Sequence, residues 1–174
     1  GDYRRLAQVL QIHADALTDP ELRSRPRLRA AALLELCLDD PDTACAAYAR
    51  ALTEVDPDPR GVLGEAQRQA ALWGMLRLFE TRGEWESVDR TLLTILESTS
   101  EPSARKRVLV RLARNAELRL GDLQRANLFY EQALATGAKP AQMAVDRLRL
   151  ARLAGDRNQI ASCLSVMAAN TSDQ

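Results

Sequence analysis

The chain has 174 residues, 46% of them hydrophobic, 28% charged and only 4% aromatic, with 24 basic and 24 acidic side chains. That composition excludes an intrinsically disordered chain, and a net charge of zero argues against a general nucleic-acid binder. No apolar run approaches the roughly 18 to 20 residues of a membrane span, so no membrane segment is expected.

Residues 1–18 open with GDYRRLAQVLQIHADAL. Glycine, an acid and an aromatic in succession form a turn between two helices, so this segment reads as the second helix of a hairpin whose first helix is missing. The chain is accordingly expected to be a fragment of a longer array. Residues 20–56 read as a full hairpin turning at Asp39, with Asp40 or Asp42 capping the helix that follows DDPD, because such side chains accept from the free amides of a first turn. GVLGEAQ (61–67) lacks the Gly-Lys-Ser/Thr of a phosphate loop and reads as a linker. Hairpins over 61–100, 102–138 and 140–170 complete the chain. Joints are expected near residues 19, 39, 57, 83, 101, 121, 138 and 155, and all seven prolines are placed near helix ends.

The turn positions Gly1, Asp39, Gly83, Gly121 and Gly155 recur at the roughly 34–44-residue period of helical-hairpin repeats. A single shift of 82 positions lays LDDPDTACAAYARAL (38–52) on LGDLQRANLFYEQAL (120–134), and GDYRRLAQVL (1–10) on GEWESVDRTL (83–92). Under that shift Tyr48 meets Tyr130, which predicts equivalent packing roles for the two tyrosines. His13 meets Ile95 and is expected to pack.

Ala44/Tyr48/Ala51 and Ala126/Tyr130/Ala133, each after its acidic turn, resemble the second helix of a tetratricopeptide repeat, and the alternation of units looks like the long bacterial arrays of that family. The resemblance implies an all-α, right-handed superhelical solenoid of antiparallel hairpins, about nine helices in a single domain. The hairpins at Gly83 and Gly155 depart from the pattern, with Val88, Leu92, Ile95 and Ile160, Leu164, Met167 where alanine, aromatic and alanine stand elsewhere.

Cys37, Cys45 and Cys163 are odd in number, widely spaced and set in apolar stretches, so they read as reduced core residues in a cytoplasmic protein. With no CxxC and one histidine there is no zinc site, and DDPD lacks the alternating oxygen ligands of a calcium loop. No catalytic constellation is recognisable, and no cofactor is expected.

In tetratricopeptide arrays the first helices line a groove. Carried over by counting back from the turns, the groove candidates are Trp73, Arg77, Glu80, Arg107, Arg114, Glu117, Arg149 and Arg152. Arg77, Arg114, Arg149 and Arg152 form rows of guanidinium suited to bidentate capture of carboxylates, so an acidic peptide is the expected partner. The implied function is a non-enzymatic scaffold that docks a peptide or helix of another protein. The alternative is a regulatory or docking segment of a larger enzyme or signalling protein.

Overall fold

Four changes of direction in this chain rest on two adjacent residues with separate tasks. Asp39, Gly83, Gly121 and Gly155 take left-handed backbone, with φ of 49°, 70°, 70° and 70°. The next amide then turns back onto the helix just ended: Asp40 N–H donates to Leu34 O (3.0 Å), Glu84 to Phe79 O (2.9 Å), Asp122 to Ala116 O (2.8 Å) and Asp156 to Ala151 O (2.9 Å). The side chains of Asp40, Asp122 and Asp156 accept from the amides of Thr43, Arg125 and Gln159 at 3.2, 2.9 and 3.0 Å. One dipeptide therefore stops a helix and caps the next.

The computed structural model describes residues 2–54 and 62–172. Among them are nine helices and no strand: α1 (Tyr3–Ala16), α2 (Pro20–Leu36), α3 (Pro41–Glu54), α4 (Val62–Arg82), α5 (Trp85–Ser98), α6 (Pro102–Asn115), α7 (Leu123–Ala135), α8 (Pro140–Ala154) and α9 (Arg157–Ser172). A π-helical turn, Ala116–Leu120, continues α6. The joints fall where the turn signals place them, except that the joint expected near 57 lies outside the described residues.

Contacts gather into two compact units, Gly1–Glu84 and Trp85–Gln174. In the first, α1 packs on α2, α2 on α3, and α4 lies against both α2 and α3. In the second, α5 packs on α6, α6 on α7, α7 on α8 and α8 on α9. Neighbours joined by so few residues must run antiparallel.

One register is buried in three of the second helices: Ala44, Ala47, Tyr48 and Ala51 on α3, Val88, Thr91, Leu92 and Ile95 on α5, and Ala126, Phe129, Tyr130 and Ala133 on α7. These i, i+3, i+4, i+7 positions form one helical face. Tyr48 and Tyr130 are both buried within it. On α1 the same register carries Leu6 and Val9, 48% and 60% exposed, half-buried Leu10 and exposed His13. No described element covers that face of α1, so the packing expected of His13 is not found.

Three further expectations are corrected. Val62–Gln67 is helical, not a linker; the roughly 1 kcal/mol helix penalty of Gly64 is outweighed where the buried Ser24 hydroxyl of α2 bonds to Gln67. Pro26 lies inside α2 and is buried, costing a helix hydrogen bond that burial of the ring offsets. All three cysteines are free, but only Cys163 is buried; Cys45 is partly buried and Cys37, past the end of α2, is exposed.

Tyr48 has room only because residue 74 has no side chain: a Cβ on Gly74 would sit 2.6 Å from both Cε1 and Cε2 of the ring. Gly74→Ala is expected to lower stability by about 1–3 kcal/mol, the usual cost of overpacking. An unchanged urea midpoint would show that Tyr48 moves aside freely. Asp39 is the one described non-glycine residue in left-handed backbone. Asp39→Gly is expected to raise the urea midpoint by the equivalent of about 0.5–1 kcal/mol, the relieved strain exceeding the added freedom of the unfolded chain.

Candidate protein-docking site

Glu35 closes α2 and Glu117 sits in the π-helical turn after α6, each four residues before its turn residue. Both helix ends are widened. Leu38 N–H reaches back five residues to Leu33 O (3.2 Å), and Asp40 and Asp122 N–H reach back six, to Leu34 O and Ala116 O. A widened turn rotates the side chains at a helix end relative to those before it, and here both glutamates reach into the packed seam.

Each carboxylate there meets a tyrosine of its own hairpin and an arginine of the next helix. Tyr48 Oη donates to Glu35 Oε2 at 2.7 Å, while Arg77 Nε and Nη2 donate to Oε1 and Oε2 at 2.8 and 2.9 Å. Tyr130 Oη donates to Glu117 Oε2 at 3.3 Å, and Arg149 Nε and Nη2 to Oε1 and Oε2 at 2.6 and 2.9 Å. The arrangement joins α2, α3 and α4 in the first unit and α6, α7 and α8 in the second. Around Gly83 the same offsets place Phe79 and Leu92, so the grouping occurs at only two of the turns.

The electrostatics follow from burial plus pairing. Burial pushes the Glu35 carboxyl up, but hydrogen bonds from Arg77 and Tyr48 more than reverse this and hold it below the usual carboxylate range. Tyr48 is raised by burial and by Glu35, and Tyr130 by burial and by the charges of Asp146 and Glu117. Arg149 is raised by its bond to Glu117, and Arg114 by its bond to Asp146. All of these groups therefore keep their ordinary charge at neutral pH.

Of the eight groove candidates, Arg114, Glu117 and Arg149 come together in the second unit. Asp146 Oδ2 accepts from Arg114 Nε and Nη2 at 3.1 and 2.8 Å, and its Oδ1 accepts from Arg149 Nη2 at 3.2 Å. Two guanidinium and two carboxylate groups thus cancel. Glu117, its side chain 1% exposed, is a packing residue. Arg77, with a half-exposed side chain, is bound to Glu35. The premise that Arg77, Arg114 and Arg149 present free positive charge is therefore corrected: each is paired internally. Trp73 and Glu80 are half-buried on α4. Arg107 and Arg152 are exposed and form no ion pair among the described residues.

Glu35 and Asp146 escape the sequence-based set, yet the signal for Glu35 is in the chain. It precedes Tyr48 by 13 residues, as Glu117 precedes Tyr130. Asp146 has no such signal, because its equivalent before Gly83 is Gly74.

Among the described residues, no three metal-ligand side chains gather and no helix is long and apolar enough to cross a membrane.

Because Glu35 ionises more readily folded than unfolded, its contribution to stability is complete above the ordinary glutamate pKa near 4.3 and is lost as pH falls through the lowered folded value. Arg77 is half-exposed, so the contribution is held to about 1 kcal/mol. Glu35→Gln is expected to destabilise at pH 7 by that order and to converge with the wild type in acid. A constant difference between the two urea midpoints from pH 7 to pH 3 would contradict the pairing.

No protein-family model, curated protein or solved structure matches the chain.

Proposed function

We propose that the chain is a tetratricopeptide-like array of helical hairpins and acts as a non-enzymatic protein-interaction module that holds a peptide or helix of a partner. The observation that carries this reading is the surface formed by α6 and α8. Arg107 and Arg114 lie two turns apart on α6 and Leu118 follows in its π turn, while Val145, Arg149 and Arg152 follow one another at one-turn spacing along α8. Leu118 and Val145 are 56% and 61% exposed, and the Arg114–Asp146 and Arg149–Glu117 pairs link the two elements.

A firm two-helix face carrying both apolar and guanidinium groups is suited to a partner strand or helix that offers an apolar side chain with a carboxylate nearby. Internal pairing leaves Arg107 and Arg152 to meet that carboxylate, so selectivity for acidic partners is modest and apolar contact carries much of the affinity. The same docking role serves equally in a segment of a larger enzyme or signalling protein.

Peptides selected from a random display library on the intact chain test the reading. Val145→Glu and Arg152→Glu are each expected to weaken the selected binders about tenfold or more, the effect of losing about 1.4 kcal/mol of contact, with no change in melting temperature. Failure to select any binder, or binders indifferent to both substitutions, would remove the proposal.

A further inference from the structure

In the second unit a cavity of about 280 Å³ opens among the start of α7, the end of α8 and the start of α9. Its lining combines the polar side chains of Gln124, Asn127, Asp156 and Gln159 with the apolar ones of Leu150 and Ala154. That is room for one long side chain and less than a large cofactor needs. None of these residues belongs to the α6 and α8 surface described above.

The first unit holds a filled counterpart. Under the 82-residue shift Gln124 and Asn127 of α7 stand where α3 has Asp42 and Cys45. Around two left-handed glycines, Ala154-Gly155-Asp156 stands where the first unit ends in Arg82-Gly83-Glu84, and Leu150 stands where it has Leu78. Both leucines are buried. Arg82 Nη2 meets Asp42 Oδ1 at 2.5 Å, and its Nη1 lies 3.5 Å from Glu84 Oε1. The Cys45 thiol belongs to the same group: burial pushes it up, and the charges of Arg82, Glu84 and Asp42 all act on it. A guanidinium therefore closes this place in the first unit and ties the start of α3 to the turn after α4. In the second unit the arginine is replaced by Ala154, and a cavity borders it.

Acceptors for a guanidinium are nevertheless retained there. Asp156 Oδ1 accepts from the amides of Asn158 and Gln159, both at 3.0 Å, while its Oδ2 has no hydrogen-bond or ion-pair partner among the described residues. Asn127 Nδ2 donates to Glu131 Oε1 at 3.0 Å, which fixes the orientation of the carboxamide, and Asn127 Oδ1 is buried without a partner. A buried acceptor that lacks a donor is rare in a folded protein. Both observations mark a wall short of donors. Among the described residues, the lining carries the negative charge of Asp156 and no positive one. Acceptors spread over two helices suit the planar fork of a guanidinium better than a compact ammonium.

We propose that this cavity receives an arginine side chain of a partner polypeptide, which supplies from outside the guanidinium that Arg82 supplies within the first unit. Asp156 neutralises its charge, the Gln124 and Gln159 carboxamides accept from its other N–H groups, and its alkyl stem lies against Leu150 and Ala154.

Titration of the intact chain with the blocked peptide acetyl-Ala-Ala-Arg-Ala-Ala-amide, followed by amide NMR, tests the site. Shifts are expected to concentrate at Gln124, Asn127, Asp156 and Gln159 and to weaken with added salt. Asp156→Asn keeps a capping side chain at the start of α9 and is expected to lower the affinity about tenfold or more, as loss of a charge-assisted bond does. Ala154→Arg, at an exposed position, restores the residue found in the first unit, so it is expected to fold and to abolish the shifts. Shifts that persist unchanged in both variants, or none at any peptide concentration the protein tolerates, would overturn the proposal. The same peptide with lysine in place of arginine is expected to bind about tenfold more weakly; equal binding would rule out the assignment to a guanidinium. Free arginine binding more tightly than the peptide would rule out a polypeptide as its source.

Discussion

The constraint on which both units depend is a glutamate carried into a packed seam at the end of a first helix. A carboxylate removed from water must be fully partnered or it destabilises the fold. Glu35 and Glu117 each draw three donor groups: a tyrosine hydroxyl from the same hairpin and both edge nitrogens of an arginine on the next helix. The widened helix ends make this possible, because a regular last turn would aim the side chain differently. A bidentate pair also fixes register. Sliding the next helix by one turn, about 5.4 Å, would part the guanidinium from the carboxylate.

The surface chemistry follows from that constraint. The basic residues are nearly all arginine, and much of that charge is directed inward or across helices, as in Arg27 with Asp15, Arg82 with Asp42 and Arg125 with Asp89. What reaches solvent on α6 and α8 is therefore a mixed face in which guanidinium groups alternate with Leu118 and Val145. The two units then spend the same framework differently. Where the first closes the space beside α3 with Arg82, the second has Ala154 and a cavity beside α7.

Local chemistry made most of the helical plan readable. The left-handed position followed by a capping acid requires particular residues, glycine or a short polar side chain and then Asp, so Asp39-Asp40, Gly121-Asp122 and Gly155-Asp156 announce their turns without tertiary help. The equivalence of Tyr48 and Tyr130 was readable for a related reason: two segments that align at one shift and bury the same helical face carry the same bulk at the same step. The 82-residue shift also carries Glu35 onto Glu117, though nothing local says that a glutamate near a helix end points inward.

Tertiary structure alone decided the rest. His13 has the register of a buried residue but is exposed, since burial depends on what lies over a face and not on the face itself. The charges of Arg77, Arg114 and Arg149 were readable as a row along their helices; their partners Glu35, Glu117 and Asp146 sit on other helices, 32 or 42 residues away. A helix period determines which side chains share a face. Whether a charge on that face reaches solvent or is cancelled depends on distances of about 3 Å between segments remote in sequence, and only the folded chain sets those.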